Sequence, residues 1–413
     1  MLFPAQSPPS TPPRVVITGA GVITALGTRW NANAEGFRAG RSAFRPVSLF
    51  DVSRQRAKTA AEVDLPAALP ATRLGRRQLA RLDRANWMLL LAAHEAWQQS
   101  GWEPSDHLPL LLGTTAGGMS HGEDYFRQAV RTPHRHRQQP TRAFHYQAQV
   151  QARTVAEALG FCGPVLILSN ACASGANAIG EAWELIRRGQ TARALAGGYD
   201  ALNQLVFSGF DSLQALSPTV CRPFDSRRDG LALGEGAAML SLETLDLARR
   251  RNAAILGELI GYGTSFDTHH LTQPHPQGDA AAAAMTLAGQ SARVAPSDIS
   301  YVNAHGTGTL LNDSAEALAI RRWAGDRAAS LPVSSTKAGI GHLLGGAGAV
   351  EAVVCLMALC GQWLPPETTF ETPDPACSFP IVRQPRDARV NIVLSNSFGF
   401  GGANASLIFR RWA

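Results

Sequence analysis

At 413 residues the chain exceeds one small domain and suits two or three packed units or a single duplicated fold. Apolar residues make up 45 % and charged residues 17 %, below the usual share of about 25 %, which excludes a disordered protein. The net charge of +6 is modest, no run approaches the roughly 18 apolar residues of a membrane span, and six scattered cysteines without a zinc-type spacing suit a reducing cytoplasm.

Residues 1–13 hold five prolines and no basic n-region, so a disordered leader is expected rather than a signal peptide. Arg14 to Gly21 predicts a buried strand running into a tight turn. Residues 73–100 predict one helix with arginines crowded at its start, and Leu110 to Gly113 a short strand. Residues 120–145 are polar and basic and predict a surface excursion. Pro164 to Ser169 predicts a strand, and 173–188 a helix closed by Arg187, Arg188 and Gly189.

The alternation then recurs. Ser300 to Ala304 predicts a strand, followed by a glycine-rich turn and a helix from Asp313, with Asp313 and Glu316 spaced as a capping box. Leu331 to Ser335 and Val390 to Ser395 predict strands, and 347–360 a helix whose apolar run is broken by Glu351. Strands alternating with helices imply an α/β fold. Residues 168–177 (LSN-ACAS-GAN) and 394–404 (LSN-SFGFG-GAN) echo one another, which suggests a duplication bringing two strand ends to one centre.

Three strand ends carry reactive groups. Cys172 falls between a strand and a helix, where amide N–H groups and the helix dipole are expected to lower a thiol pKa. Small neighbours (Ala171, Ala173, Ser174, Gly175) leave room for a substrate. His305 lies in Asn303-Ala304-His305-Gly306-Thr307-Gly308-Thr309, and His342 in a glycine-rich stretch after another strand. In open α/β sheets ligands bind at the carboxyl ends of strands. A fourth end, Phe398-Gly399-Phe400-Gly401-Gly402, offers N–H groups for an oxyanion hole.

Taken together, VVITGAGVITALG (15–27), NACASGANAIG (170–180), RPFDSRRDGLALGEGAA (222–238), NAHGTGT (303–309), SSTKAGIGHLLGGAGAVEA (334–352) and NSFGFGGANASLIF (396–409) resemble elongating β-ketoacyl-acyl-carrier-protein synthases of the thiolase superfamily. The resemblance implies a five-layered αβαβα fold of two similar halves, 14–260 with the nucleophilic cysteine and 261–413 with two catalytic histidines. It implies that Cys172 takes an acyl chain as a thioester, with the N–H groups of Cys172 and Phe400 holding the oxyanion. His305 and His342 then act on malonyl-carrier, and the carbanion attacks the acyl-Cys, lengthening the chain by two carbons. By the same resemblance Lys337 is the family's catalytic-site lysine near the second histidine, with electrostatic and structural work, Glu351 is the supporting acid that accompanies it, and Phe400, with Gly399 and Gly401, gates the site. Thr307 and Thr309 bond the pantetheine arm, Thr272 lines the malonyl side and Ala116 lies beside the acyl pocket.

Near relatives fit less well. Chain-initiating synthases use Cys-His-Asn, thiolases a second catalytic Cys, and chain-length factors lack the nucleophile. A non-condensing acyltransferase or thioester hydrolase using Cys172, and a non-enzymatic chain-length partner, stay open as alternatives. Departures point to a specialised acyl chain, of polyketide or polyene type, beside ordinary fatty-acid elongation: Ala116 stands where fatty-acid enzymes often carry Ile, residues 119–147 differ, and Ala338-Gly339-Ile340 replaces Ser-Met-Thr. The resemblance implies no bound metal or redox cofactor, because the phosphopantetheine of an acyl carrier protein delivers the substrates. It implies a cytoplasmic homodimer, or a heterodimer with a chain-length-factor homologue, acting on neither nucleic acid nor membrane. Arg76, Arg77 and Arg81, with Arg73, Arg84, Arg135, Arg137 and Arg142, are the expected contacts for an acidic carrier.

Overall fold

The computed structural model describes residues 9–105, 107–134, 139–377 and 379–412. Residues 1–8 of the proline-rich leader, and Arg135 and Arg137, lie outside the described residues; residues 9–13 form neither helix nor strand.

Among the described residues the main sheet has eleven strands: ten in one continuous order, and the short strand Gly27–Thr28, which folds back on the first. The first five of the ten are β1 (Val15–Thr24), β2 (Leu110–Gly113), β3 (Val165–Leu168), β4 (Arg193–Asp200) and β5 (Gly236–Thr244). The second five are β6 (Gly257–Phe266), β7 (Tyr301–Asn303), β8 (Val333–Ser334), β9 (Ile392–Phe398) and β10 (Ala403–Arg410). Their spatial order is β8-β7-β9-β10-β6-β1-β5-β4-β2-β3. Counted outward from the centre, each set runs first, fifth, fourth, second, third. The pairings match as well: two antiparallel, then two parallel. The halves meet where β1 pairs with β6 over only Val15↔Leu259, Val16↔Glu258 and Ile17↔Gly257. Glu258 accepts there from both Arg14 and Arg410. The second set begins at Gly257, so the expected division at residue 260 would cut β6; we place it in the segment 251–256, before that strand.

The helices that bear on the site and its packing are α1 (Arg76–Leu79), α2 (Arg84–Ser100), α3 (Met119–Arg131), α4 (Pro140–His145), α5 (Ala148–Leu159), α6 (Ser174–Arg187), α7 (Asp279–Ala292), α8 (Leu310–Ala324), α9 (Lys337–Ile340) and α10 (Ala347–Gly361). α2 and α5 cover the outer face of the first strand set, while α7, with α8 packed on it, covers the second. α6 and α10 lie between the two halves and touch strands of both, giving the five αβαβα layers. Thirteen of the fifteen α10 residues are buried, so it is apolar all round. The segment Leu344–Gly361, 18 residues with a mean hydropathy of 1.8, is therefore apolar enough to match a membrane span, contrary to the sequence expectation, and the fold encloses 89 % of it.

The duplication is written in glycines. A β-carbon on Gly19 or Gly21 of β1 would collide with the α2 carbonyls of Ala96 and Ala92. One on Gly261 or Gly263 of β6 would collide with the α7 carbonyls of Ala288 and Ala284. Ile17-Thr18-Gly19-Ala20-Gly21 and Leu259-Ile260-Gly261-Tyr262-Gly263 are thus the same device used twice. The LSN…GAN echo is not: it matches the end of β3 with the end of β9, which hold different places in their halves.

Three further expectations change. The 73–100 helix is broken, because Asp83 caps a new helix by accepting from Asn86 N–H at 2.8 Å. The 120–145 excursion is largely helical, although α3 and α4 bury no residue completely. Asp313 caps nothing: α8 starts at Leu310, and the Asp313 carboxylate turns back to the N–H groups of Thr307, Gly308 and Phe224.

The central layer tolerates no added bulk. A β-carbon at Gly175 would stand 2.7 Å from Gly345 O, inside contact distance. Gly175→Ala is expected to destabilise the protein by about 1–3 kcal/mol through overpacking. Urea unfolding would show this as a lower midpoint at constant slope; an unchanged midpoint would refute the tight α6–α10 contact.

Candidate active site

Cys172 sits in a single 3-10 turn, Ala171–Ala173, wedged between β3 and α6. The turn is strained, since Ala171 takes φ = 56°, a left-handed conformation costly for a residue with a β-carbon. Ser174 braces it, its hydroxyl accepting from Asn170 N–H at 2.9 Å and donating to Ala171 O at 2.6 Å. The same elbow recurs at Leu344–Gly346 before α10, where Leu344 has φ = 51°. Gly345 there takes the place of Cys172.

His305 follows β7 and His342 follows α9. Their rings meet edge to face with centroids 5.3 Å apart, and the Cys172 sulfur and one nitrogen of each ring all lie within 4.8 Å of one another. Leu344 N–H donates to His342 Nδ1 at 3.2 Å, so the neutral ring carries its proton on Nε2. That Nε2 has no partner among the described residues, nor has His305 Nδ1. Burial, then the Lys337 charge, push both imidazoles well below the usual histidine range; for His305, His342 adds to this. They are neutral donors at physiological pH. The three groups have the spacing of a metal site, but the adjacent ammonium would repel a cation.

Lys337 is almost wholly buried. Its ammonium is ion-paired with Glu351 and donates to His305 O at 2.6 Å. Burial raises the Glu351 carboxyl, and Lys337 opposes that shift. The histidine turn is held by acids that sequence reasoning treated as helix caps. Glu316 accepts from His305 N–H and Gly306 N–H, both at 2.8 Å, and burial pushes its carboxyl up to about 7.

The thiol departs from expectation. Burial pushes Cys172 up to about 11, against the pull of Lys337 and of the Phe400 and Cys172 N–H groups, while Asp200 adds to the rise. At this elbow the cost of desolvating a thiolate outweighs the favourable dipole. Of the other cysteines, Cys221, Cys355 and Cys377 are buried, whereas Cys162 and Cys360 are exposed.

A cavity of about 310 Å³ reaches the three groups. Thr272, Thr307, Thr309, Gly399 and Phe400 line it, and the Thr307 and Thr309 hydroxyls bond each other at 2.9 Å. Gly401 does not line it, but it adopts φ = 80°, which favours glycine. A β-carbon at Gly399 would lie 3.3 Å from Cys172 N and 3.1 Å from Asn170 O, so glycine keeps the two turns close. Phe400 stacks on Phe210 at 5.8 Å. Ala116 is outside the lining; it is buried, and its N–H donates to Asp200 at 2.8 Å. Arg76, Arg77 and Arg81 are exposed and away from this cavity's lining. Arg84 is spoken for by Glu235, and Arg142 by Gln128 and Gln139.

The family model described as Beta-ketoacyl synthase, N-terminal domain, matches residues 13–248, and that described as Beta-ketoacyl synthase, C-terminal domain, matches 256–371. The chain is 38 % identical over 403 residues to Nodulation protein E of Rhizobium meliloti (strain 1021), covering 96 % of this chain and 99 % of that protein. It is 37 % identical over 417 residues to 3-oxoacyl-[acyl-carrier-protein] synthase 2 of Synechocystis sp. (strain ATCC 27184 / PCC 6803 / Kazusa), covering 97 % and 98 %. Among solved structures, the ishigamide ketosynthase/chain length factor superposes with a TM-score of 0.91 at 34 % identity, covering 97 % of this chain and all of that one.

A thiol with a pKa near 11 is mostly protonated at neutral pH, and its thiolate fraction grows about tenfold per pH unit. Alkylation of Cys172 by iodoacetamide is therefore expected to accelerate steadily from pH 6 through pH 9. A plateau below pH 7 would show a depressed thiol pKa instead.

Proposed function

The chain belongs to the β-ketoacyl synthase family and is a condensing enzyme, and from that premise we propose that it joins malonyl-carrier to an acyl chain held on Cys172. The observation that carries this reading is one thiol and two neutral imidazoles converging within 4.8 Å at the end of one cavity.

The acyl thioester arrives on the phosphopantetheine arm of an acyl carrier protein, the arm lying along Thr307 and Thr309. Cys172 Sγ attacks the carbonyl while the Cys172 and Phe400 N–H groups bond the oxyanion. The acyl group passes to sulfur, and the thiol's proton leaves with the departing pantetheine sulfur. Malonyl-carrier then enters, with Thr272 on its side of the cavity. Breaking the bond to its carboxylate releases carbon dioxide and leaves an enolate. Two neutral donors suit that oxygen: His342 presents Nε2–H, and His305 stands beside it. The enolate carbon attacks the acyl-Cys, giving a 3-oxoacyl-carrier two carbons longer and expelling the Cys172 thiolate, which takes up one proton from solvent to restore the thiol.

We assign Lys337 and Glu351 to supporting His305, Phe400 with Gly399 and Gly401 to gating, and Arg76, Arg77 and Arg81 to an acidic carrier. No metal or redox group is needed for these steps. A second subunit, either another copy or a chain-length-factor homologue, is proposed to cover the outermost strand β3. Its sequence Val165-Leu166-Ile167-Leu168 is apolar, Val165 is exposed, and α3 nearby in sequence exposes Phe126 and Val130. The likeness to the ishigamide ketosynthase/chain length factor supports the chain-length-factor alternative for that second subunit.

Incubation with acyl-carrier and malonyl-carrier is expected to yield the 3-oxoacyl product. Untouched malonyl-carrier and no such product would overturn the reading. Cys172→Ala should no longer bind a labelled acyl chain, and label that still attached covalently would refute the nucleophile. His342→Ala should acylate yet condense about 100-fold more slowly or worse. A panel of acyl-carriers of different length and unsaturation identifies the chain.

A further inference from the structure

The two elbows make equal demands and receive different partners. At Cys172 the amide nitrogen lies against the Gly399 turn, a β-carbon on Gly399 standing 3.3 Å from it, and Cys172, Gly399 and Phe400 all line the cavity. At Gly345, its counterpart in the second half, the amide is already engaged: Gly345 N–H donates to Asp200 at 2.7 Å. Asp200 ends β4, and the strand holding the same place in the second half is β9, which ends in Phe398 and runs into Gly399 and Phe400. One half thus offers its elbow amide to a substrate oxygen, and the other fills the matching hollow with its own carboxylate.

The same carboxylate does more. Its oxygens also accept from Thr114 Oγ1 at 2.6 Å, Thr115 N–H at 2.9 Å, Ala116 N–H at 2.8 Å and Gly117 N–H at 3.3 Å. The side chain is fully buried, and these partners are hydroxyl and amide donors rather than a cation. Asp200 therefore joins the Thr114–Gly117 turn to Gly345. The residue before Gly345, Leu344, supplies the N–H that fixes the His342 ring.

We propose that Asp200 is a positioning residue: by filling the hollow at Gly345 it sets the Leu344 amide that orients His342, and it locks the Thr114–Gly117 turn to the same point. This rests on the condensing reading of the site. It adds an electrostatic signature, because the Asp200 charge opposes ionisation of Cys172. The charged and titratable groups facing that thiol are Lys337 from α9, Asp200 from β4, and the neutral His305 and His342. Burial pushes Asp200 itself up to about 6, so it is ionised at pH 8.

The test compares Asp200→Asn with wild type at pH 8. Asparagine keeps the shape but loses the charge and one acceptor oxygen. Malonyl-carrier decarboxylation and condensation are expected to fall about tenfold or more in kcat, with a smaller change in KM. The pH profile of iodoacetamide alkylation of Cys172 is expected to move to lower pH. Wild-type turnover would overturn the proposal. So would slow turnover with an unmoved alkylation profile, which is the mark of general loosening. If Asp200→Asn gives no cooperative melt, Thr114→Val removes one donor and keeps the carboxylate; it should slow decarboxylation several-fold, and wild-type rates would overturn the proposal. A wild-type protein that leaves malonyl-carrier untouched would instead sink the condensing reading, so the two failures are separable.

Discussion

One buried ammonium, that of Lys337, sets the terms for the whole site. It is ion-paired with Glu351 of the central helix α10 and bonded to the carbonyl of His305. A charge taken out of water at such depth is tolerable only with a close counter-charge and further hydrogen bonds. Both are present, and they come from different elements, so the ion pair also fixes the distance between α9, α10 and the end of β7. Its field then acts on everything nearby. It adds to the burial that keeps both imidazoles neutral, and it partly offsets the burial that disfavours the Cys172 thiolate. Neutral donors around a developing enolate require this arrangement, because an imidazolium beside Lys337 would be a second buried cation.

The duplicated fold explains why the reactive groups converge and why they differ. Each half supplies a strained elbow entering a central helix, a glycine-rich turn after its second strand, and a strand end that meets the other half's elbow. In the first half the elbow carries the thiol, and the turn Thr114–Gly117 carries no titrating group. In the second the elbow carries glycine, and the turn carries His305. Buried acids fasten these turns, with Asp200 on the first, and Asp313 and Glu316 on the second. A turn rich in glycine cannot orient a side chain by packing alone, and several N–H bonds to one buried carboxylate remove that freedom.

Much of this was legible in the sequence. The strand ends bearing Cys172, His305 and His342 stand out because small residues flank a reactive one, and the long motifs carry the family. Other features were hidden for physical reasons. Asp313 and Glu316 have capping-box spacing, but the free N–H groups of the preceding turn outbid the helix terminus for their carboxylates. The true internal repeat, a glycine pair on β1 and on β6, is invisible as spelling because glycines are needed there only for helix contact. The basic stretch 120–145 looks like a loop because its apolar residues, such as Phe126 and Val130, stay exposed and give no buried face to read. The sign of the Cys172 shift was missed because sequence shows the helix start and not the depth of burial.

The site also divides into a part that must stay fixed and a part that must yield. Cys172 and the histidine turn are anchored by the central helices, by Ser174 and by buried acids, where any displacement would break several hydrogen bonds together. The Phe400 turn is held more lightly. Gly401 N–H donates to Leu271 O at 2.7 Å and Asp267 N–H to Gly402 O at 2.8 Å, and both partners belong to a segment that itself lines the cavity. Phe400 is about one-third exposed, and its ring rests on Phe210 instead of in the core. Local free energies of opening follow such differences in burial and bonding. For the gating role proposed for Phe400, this places the softer element at the cavity mouth and leaves the Cys172 turn and the histidine turn fixed.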